Sequence, residues 1–70
     1  MKFRELINTN ANVLDNIYIY YTEDEWENGF PSIETNDIRQ LGIQRDQILN
    51  MYVDQWEVDV NFILHVLLSE

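Results

Sequence analysis

The chain has no cysteine, one histidine, one proline, two glycines and only four lysines and arginines among its 70 residues. Each shortage removes a class of protein. Without cysteine there is neither a disulfide nor a thiolate zinc site, and one imidazole does not build a histidine metal site. Gly29 and Gly42 alone do not make a glycine-rich phosphate loop. The thirteen Asp and Glu against four Lys and Arg leave a net charge of -9, the reverse of a nucleic-acid footprint and unsuited to an anionic membrane. The longest apolar run, 62–68, is broken by His65 and is far short of the about 20 residues that span a bilayer. Met1-Lys2-Phe3-Arg4-Glu5-Leu6-Ile7 loses its apolar character at Asn8, so it does not read as a signal peptide. The expectation is a soluble protein of the cytoplasm.

What is present is apolar. With 46% hydrophobic and 13% aromatic residues the chain is a folded one, read as a single domain over 1–70. A chain of this size buries only about 60% of its unfolded surface, so it depends on tight packing or on association. Nine aromatics are more than such a core hides, which predicts a homodimer or an obligate complex. The contact is expected at the edge near Phe30–Ile33 or along the apolar tail Phe62–Leu68.

Phe3, Leu6 and Ile7 lie on one helical face and predict a short helix over 2–8, with a loop over 8–12. Asn16–Thr22 is β-branched and aromatic without alternation, which predicts a central strand covered on both faces. Glu23–Glu27 reads as a continuing strand or a loop. Asn28-Gly29 predicts a type I′ hairpin, with Phe30–Ile33 returning as an edge strand because Pro31 lacks an N–H. Thr35, Asn36 and Asp37 offer N-caps to a helix over about 36–41 that Gly42 ends. In 44–56 the stripe Ile48, Leu49, Tyr52, Val53, Trp56 favours helix, while alternation at Leu49, Met51 and Val53 admits a strand. A strand over about 57–68, with a break near Asn61, completes the reading. The fold class is α+β: three or four antiparallel strands with two or three short helices.

Chemistry is thinly supported. His65 sits in an apolar run, and Ser32 and Ser69 are the only serines, so no nucleophile has an evident base. His65 therefore reads as a packed or strand-edge residue, and no catalytic residue is assigned. Glu23, Asp24, Glu25 and Glu27 are hard oxygen ligands, yet their spacing matches no EF-hand loop, so neither metal nor cofactor is assigned. Residues 37–46 have a helix-turn-helix flavour, but only Arg39 and Arg45 would meet phosphate.

The strongest feature is acidity interleaved with large aromatics. Glu23, Asp24, Glu25 and Glu27 surround Trp26, and Glu57 and Asp59 share a strand face. On a strand such carboxylates stand about 6.8 Å apart, sparser than one phosphate per about 3.4 Å of a DNA strand; two neighbouring rows approach it. The bland alternative is that acidity keeps an apolar chain in solution.

The opening Met1–Ile7, the strand Asn16–Tyr21 and the tail Val53–Leu68 make the whole chain resemble the small acidic proteins carried by phages and mobile elements of low-GC Gram-positive bacteria. That class includes DNA mimics and anti-CRISPR or anti-restriction inhibitors, and the resemblance implies life in a bacterial host cell and a partner with a basic groove. No motif transfers a functional residue. The expected function is non-enzymatic: Glu23, Asp24, Glu25, Trp26, Glu27, Glu57 and Asp59 cover a basic nucleic-acid-binding surface of a host enzyme, with no direct contact to nucleic acid or membrane. The alternatives are a homo-oligomeric accessory module and a weak divalent-metal protein.

Overall fold

The computed structural model describes residues 1–10 and 16–70. In chain order they form α1 (Phe3–Asn10), β1 (Asn16–Tyr20), α2 (Glu23–Asn28), β2 (Ile33–Thr35), a 3-10 segment (Ile38–Gln44), α3 (Arg45–Leu49), β3 (Tyr52–Val58) and β4 (Ile63–Ser69). The architecture is α+β. Among the described residues no helix is long and apolar enough to cross a membrane.

The strands form one open sheet in the order β2-β1-β4-β3. β1 pairs antiparallel with β2, and β3 with β4, but β1 and β4 run parallel, so the expected antiparallel sheet is mixed. β1 and β4 are apolar on both faces, which suits inner strands. Within the Phe62–Leu68 tail, Leu64, Val66, Leu67 and Leu68 are buried inside their own sheet, while Phe62 is exposed.

Helices cover one face. Ile17 and Ile19 of β1 and Leu64, Val66 and Leu68 of β4 pack under Phe3 and Leu6 of α1 and Ile48 and Leu49 of α3, with Ile38 and Leu41 at the margin. Phe3 and Leu6 are three apart and share one helical face. The N-terminal segment also pairs with the start of β3, through Phe3 N–H to Met51 C=O (2.9 Å) and Val53 N–H to Met1 C=O (2.8 Å).

Five expectations change. α1 runs on to Asn10 where a loop was expected, and the rest of that loop falls outside the described residues. The 44–56 stretch is both helix and strand, since α3 closes at Asn50, whose N–H turns back to Asp46 and Gln47 carbonyls at 3.2 Å. The expected strand over 57–68 is a hairpin, β3 returning as β4 around Asn61. Glu23–Glu27 is neither strand nor loop but α2. Its Thr22 hydroxyl accepts from Glu25 N–H (3.1 Å) while the Glu25 carboxylate accepts from Thr22 N–H (3.0 Å), a capping box. Gly29 does take positive φ (72°), but as the cap of α2, its N–H and that of Phe30 turning to Glu25 C=O. Gly42 (φ 65°) does break the helical path begun at the Asp37 cap.

The β3–β4 turn has Asp59 N–H to Ile63 C=O and Phe62 N–H to Asp59 C=O, both 3.1 Å, with Phe62 left-handed at φ 61°. This is a three-residue loop whose last position glycine normally fills. Phe62 is 57% exposed, so it gains little burial there. Replacing a side chain held in the left-handed region relieves about 1–2 kcal/mol of strain, partly offset by glycine's chain entropy. Phe62→Gly should therefore raise stability in urea unfolding, by up to about 1 kcal/mol. A loss of stability would mean the ring does more than its exposure shows.

Candidate interaction surface

The face turned away from α1 and α3 is built by register. Glu34 of β2 stands opposite Tyr18 of β1, Tyr18 beside His65 of β4, and His65 opposite Glu57 of β3. Partners in register share a face, so these four form a row across the sheet. With strands about 4.8 Å apart, Glu34 and Glu57 end the row about 14 Å from each other. Tyr20, Leu67 and Gln55 lie in the next row on the same face.

One chain of contacts crosses this face. Trp26, on α2, meets Tyr20 edge-on, with ring centroids 5.2 Å apart. Tyr20 O–H donates to Nδ1 of His65 at 2.9 Å, and Nε2–H of His65 donates to Oδ2 of Asp59 at 2.9 Å. The carboxylate fixes this tautomer, because it only accepts. The Tyr18 ring adds an edge contact to the imidazole at 5.2 Å. The two acidic segments picked out in the sequence are thus joined through Trp26, Tyr20 and His65.

Hydroxyl, imidazole and carboxylate here have the connectivity of a nucleophilic triad. The hydroxyl is badly placed to attack a substrate, because Tyr20 is 3% exposed. Burial first, then the negative surroundings of Tyr18, Glu34, Glu57 and Asp59, push its pKa up, the wrong direction for an activated nucleophile. The chain of bonds fastens the β3–β4 turn to β1.

The seven residues singled out do different work. Glu23, Asp24 and Glu27 are exposed on α2, and Glu57 is exposed on β3. Glu23 and Glu27, four apart, share a helix face about 6 Å apart. Glu25 is turned inward: it accepts from Tyr21 N–H and Thr22 N–H, both at 3.0 Å, and from the Ser32 hydroxyl. Those bonds, the Ser32 one foremost, hold its carboxyl below the usual range. Asp59 is also structural, accepting from Asn61 N–H (2.8 Å) and Ile63 N–H (3.2 Å) besides His65. The His65 bond leads in lowering its pKa. Trp26 is half-buried on Tyr20 rather than a free anchor. Glu34 was missed, being a single acid in a strand of three residues. Its signal was alternation, since it faces away from Ile33 and Thr35.

An open depression of about 930 Å³ lies at the C-terminal ends of β1 and β4, lined by Tyr21, Gln44, Gln47, Met51 and Leu68 among others. It takes in none of the seven. Among the described residues no three acidic or histidine side chains converge as a metal site.

The shifts set a pH window. Glu25, Asp59 and Asp37, the last bound chiefly by the Arg39 side chain, are all lowered. A lowered carboxyl stabilises the fold above its unfolded value near about 4, and that contribution is lost as pH falls through the folded value. Tyr20 and Tyr21 are raised, chiefly by burial, so their contribution holds below about pH 10 and is lost above it. The Tm should be flat between these limits and fall on both sides. Asp59→Asn should make the acid limb shallower; an unchanged limb would show that the His65 bond adds no stability. Separately, Thr22→Ala should cost about 1 kcal/mol in urea unfolding through the α2 cap, and Glu25→Ala, which removes the capping-box carboxylate, should lower the Tm more than Glu23→Ala does.

Comparison with protein-family models, with curated proteins and with solved structures finds no match to this chain.

Proposed function

We propose that this protein is a non-enzymatic binder whose acidic sheet face and α2 occupy a basic nucleic-acid-binding groove of a host enzyme, as phage-type inhibitors and DNA mimics do. One observation carries the reading: charge is segregated by layer. Residues 16–35 and 52–70, the strands with α2, hold Glu23, Asp24, Glu25, Glu27, Glu34, Asp54, Glu57, Asp59 and Glu70, and no lysine or arginine. All four cations, Lys2, Arg4, Arg39 and Arg45, belong to the N-terminal and helical segments that cover the other face. Acidity needed only for solubility has no reason to be sorted this way. A one-signed face steers a partner of opposite sign and speeds association.

The rival readings have less behind them. A divalent-metal protein needs ligands that converge, and the exposed carboxylates of α2 and β3 are spread along their elements. A homo-oligomer would set two such faces, or two chains of net charge -9, against one another.

The test is competition with duplex DNA for a panel of restriction and CRISPR nucleases. The protein should displace DNA from at least one, with an affinity that falls as salt rises. The variant Glu23→Gln, Asp24→Asn, Glu27→Gln should stay folded with at most a small fall in Tm, slow association by about tenfold and flatten the salt dependence. A variant that binds the displaced enzyme as the natural chain does at low salt, or a lack of competition across the panel, overturns the reading. Trp26→Ala is unsuited to the purpose, since it removes a packing partner of Tyr20.

A further inference from the structure

β3 is a sheet edge, and it is guarded over only half its length. At its start Lys2 bridges to Tyr52, Val53 N–H is bonded to Met1, and the pairing with β4 slips between Val53 and Gln55. Bulges and covering segments are the usual protections of an edge. Beyond Gln55 no described strand covers the outer side, and no lysine, proline or second bulge protects it.

The direction of the free groups follows from the hairpin. Asp59 and Ile63 are a hydrogen-bonded pair at the turn. Antiparallel pairs alternate, so Glu57 and Gln55 bond inward to β4. The N–H and C=O groups of Trp56 and Val58 therefore point outward. Their side chains are 45% and 38% exposed, and Val60 at the turn is 93% exposed. The other side of the same edge carries Glu57, whose side chain has no hydrogen bond or ion pair among the described residues.

We infer that this edge, Gln55–Val58, takes an added strand from a partner, one that alternates cationic with apolar residues. Cationic side chains would stand opposite Gln55 and Glu57, and apolar ones opposite Trp56 and Val58. The commitment to a cationic strand rests on charge complementarity: residues 52–70 hold four carboxylates and no lysine or arginine. A second copy is a poor occupant for the same reason, since its own edge brings a further Glu57 and Asp59. The inference rests on the reading of this chain as a binder of basic partners, and it names how such a partner is gripped.

The experiment uses two short peptides of equal composition, capped at both ends. One alternates lysine and valine; the other has the lysines and valines in separate blocks. The alternating peptide should bind at least about tenfold more tightly and slow amide exchange at Trp56 and Val58. Val58→Pro removes one outward N–H at a position where an edge tolerates proline. It should keep the Tm near that of the natural chain and lose that preference. Glu57→Lys, which leaves the backbone edge intact, should reverse the preference toward an alternating glutamate–valine peptide. Equal binding of the two peptides overturns the strand inference and leaves the acidic-face reading standing, because charge alone then suffices. Absence of binding by either peptide, with DNA competition intact, also overturns the strand inference alone. A dimer that Val58→Pro dissociates overturns it in favour of a second copy.

Discussion

The fold hangs on β4. Ile63–Ser69 is apolar on both faces, so it must be covered twice, and its buried residues alternate without a solvated side. A 70-residue chain has little helix with which to do that. α1 and α3 cover one face with Phe3, Leu6, Ile48 and Leu49. Among the described residues the only helix on the other face is the six-residue α2. The remainder of that cover comes from aromatic side chains lying on the sheet itself, Tyr20 above all. Large rings with polar tips suit this role, because they bury area and still reach a partner. The tip of Tyr20 reaches His65, and His65 reaches Asp59. A hydrogen-bonded line across the sheet is thus a consequence of covering a two-sided strand without a second helical layer.

Parallel pairing of β1 with β4 follows from the same demand. β4 needs an apolar neighbour on each side, and β1 is the other strand that is apolar on both faces. The pairing puts Tyr18 beside His65 and leaves β2 and β3, the strands with exposed carboxylates, at the two edges. Charge is thereby pushed to the rim of the open face while its centre stays aromatic. Part of the acidic cluster on α2 has a local cause. Glu23, Asp24 and Glu25 occupy the first turn, where carboxylates meet unpaired N–H groups, and Glu25 closes the capping box with Thr22. The first turn does not account for Glu27, Glu34 or Glu57. Those three are what a role in binding has to explain.

The residues that were legible in the sequence share one property: their neighbours in space are also neighbours in the chain, or their composition admits one answer. β1 was plain because Ile17–Tyr20 is β-branched and aromatic throughout. The Asp37 cap and the break at Gly42 were plain for local reasons. Asn28-Gly29 was half legible. Positive φ at Gly29 was right, yet a hairpin turn and a helix cap both ask for it, and Thr22-x-x-Glu25 was the signal that separates them. In 44–56 two periods overlap because Ile48 and Leu49 end a helix three residues before Tyr52 begins a strand. The Tyr20–His65–Asp59 line was not legible. It joins residues 45 apart through a parallel pairing, and no local pattern encodes which strands lie side by side. Glu25 and Asp59 looked like surface charges for the same reason: composition shows a carboxylate but not the N–H groups it accepts from.

An acidic face and an apolar edge make unequal demands on a partner, and the structure sets them side by side. Exposed charges act over a distance of about 8 Å at physiological salt, and their pull on a docked partner is modest once water and ions screen them. Such a face hastens encounter without fixing register. Backbone groups at an edge act only on contact, but they fix direction and register along every residue they pair. Glu57 belongs to both. Its carboxylate ends the row Glu34–Tyr18–His65–Glu57, and its backbone lies between the outward groups of Trp56 and Val58. On the proposed reading, a basic partner drawn to the face would arrive beside the edge beyond Gln55, and the same strand that carries the charge would supply the contact that outlasts screening.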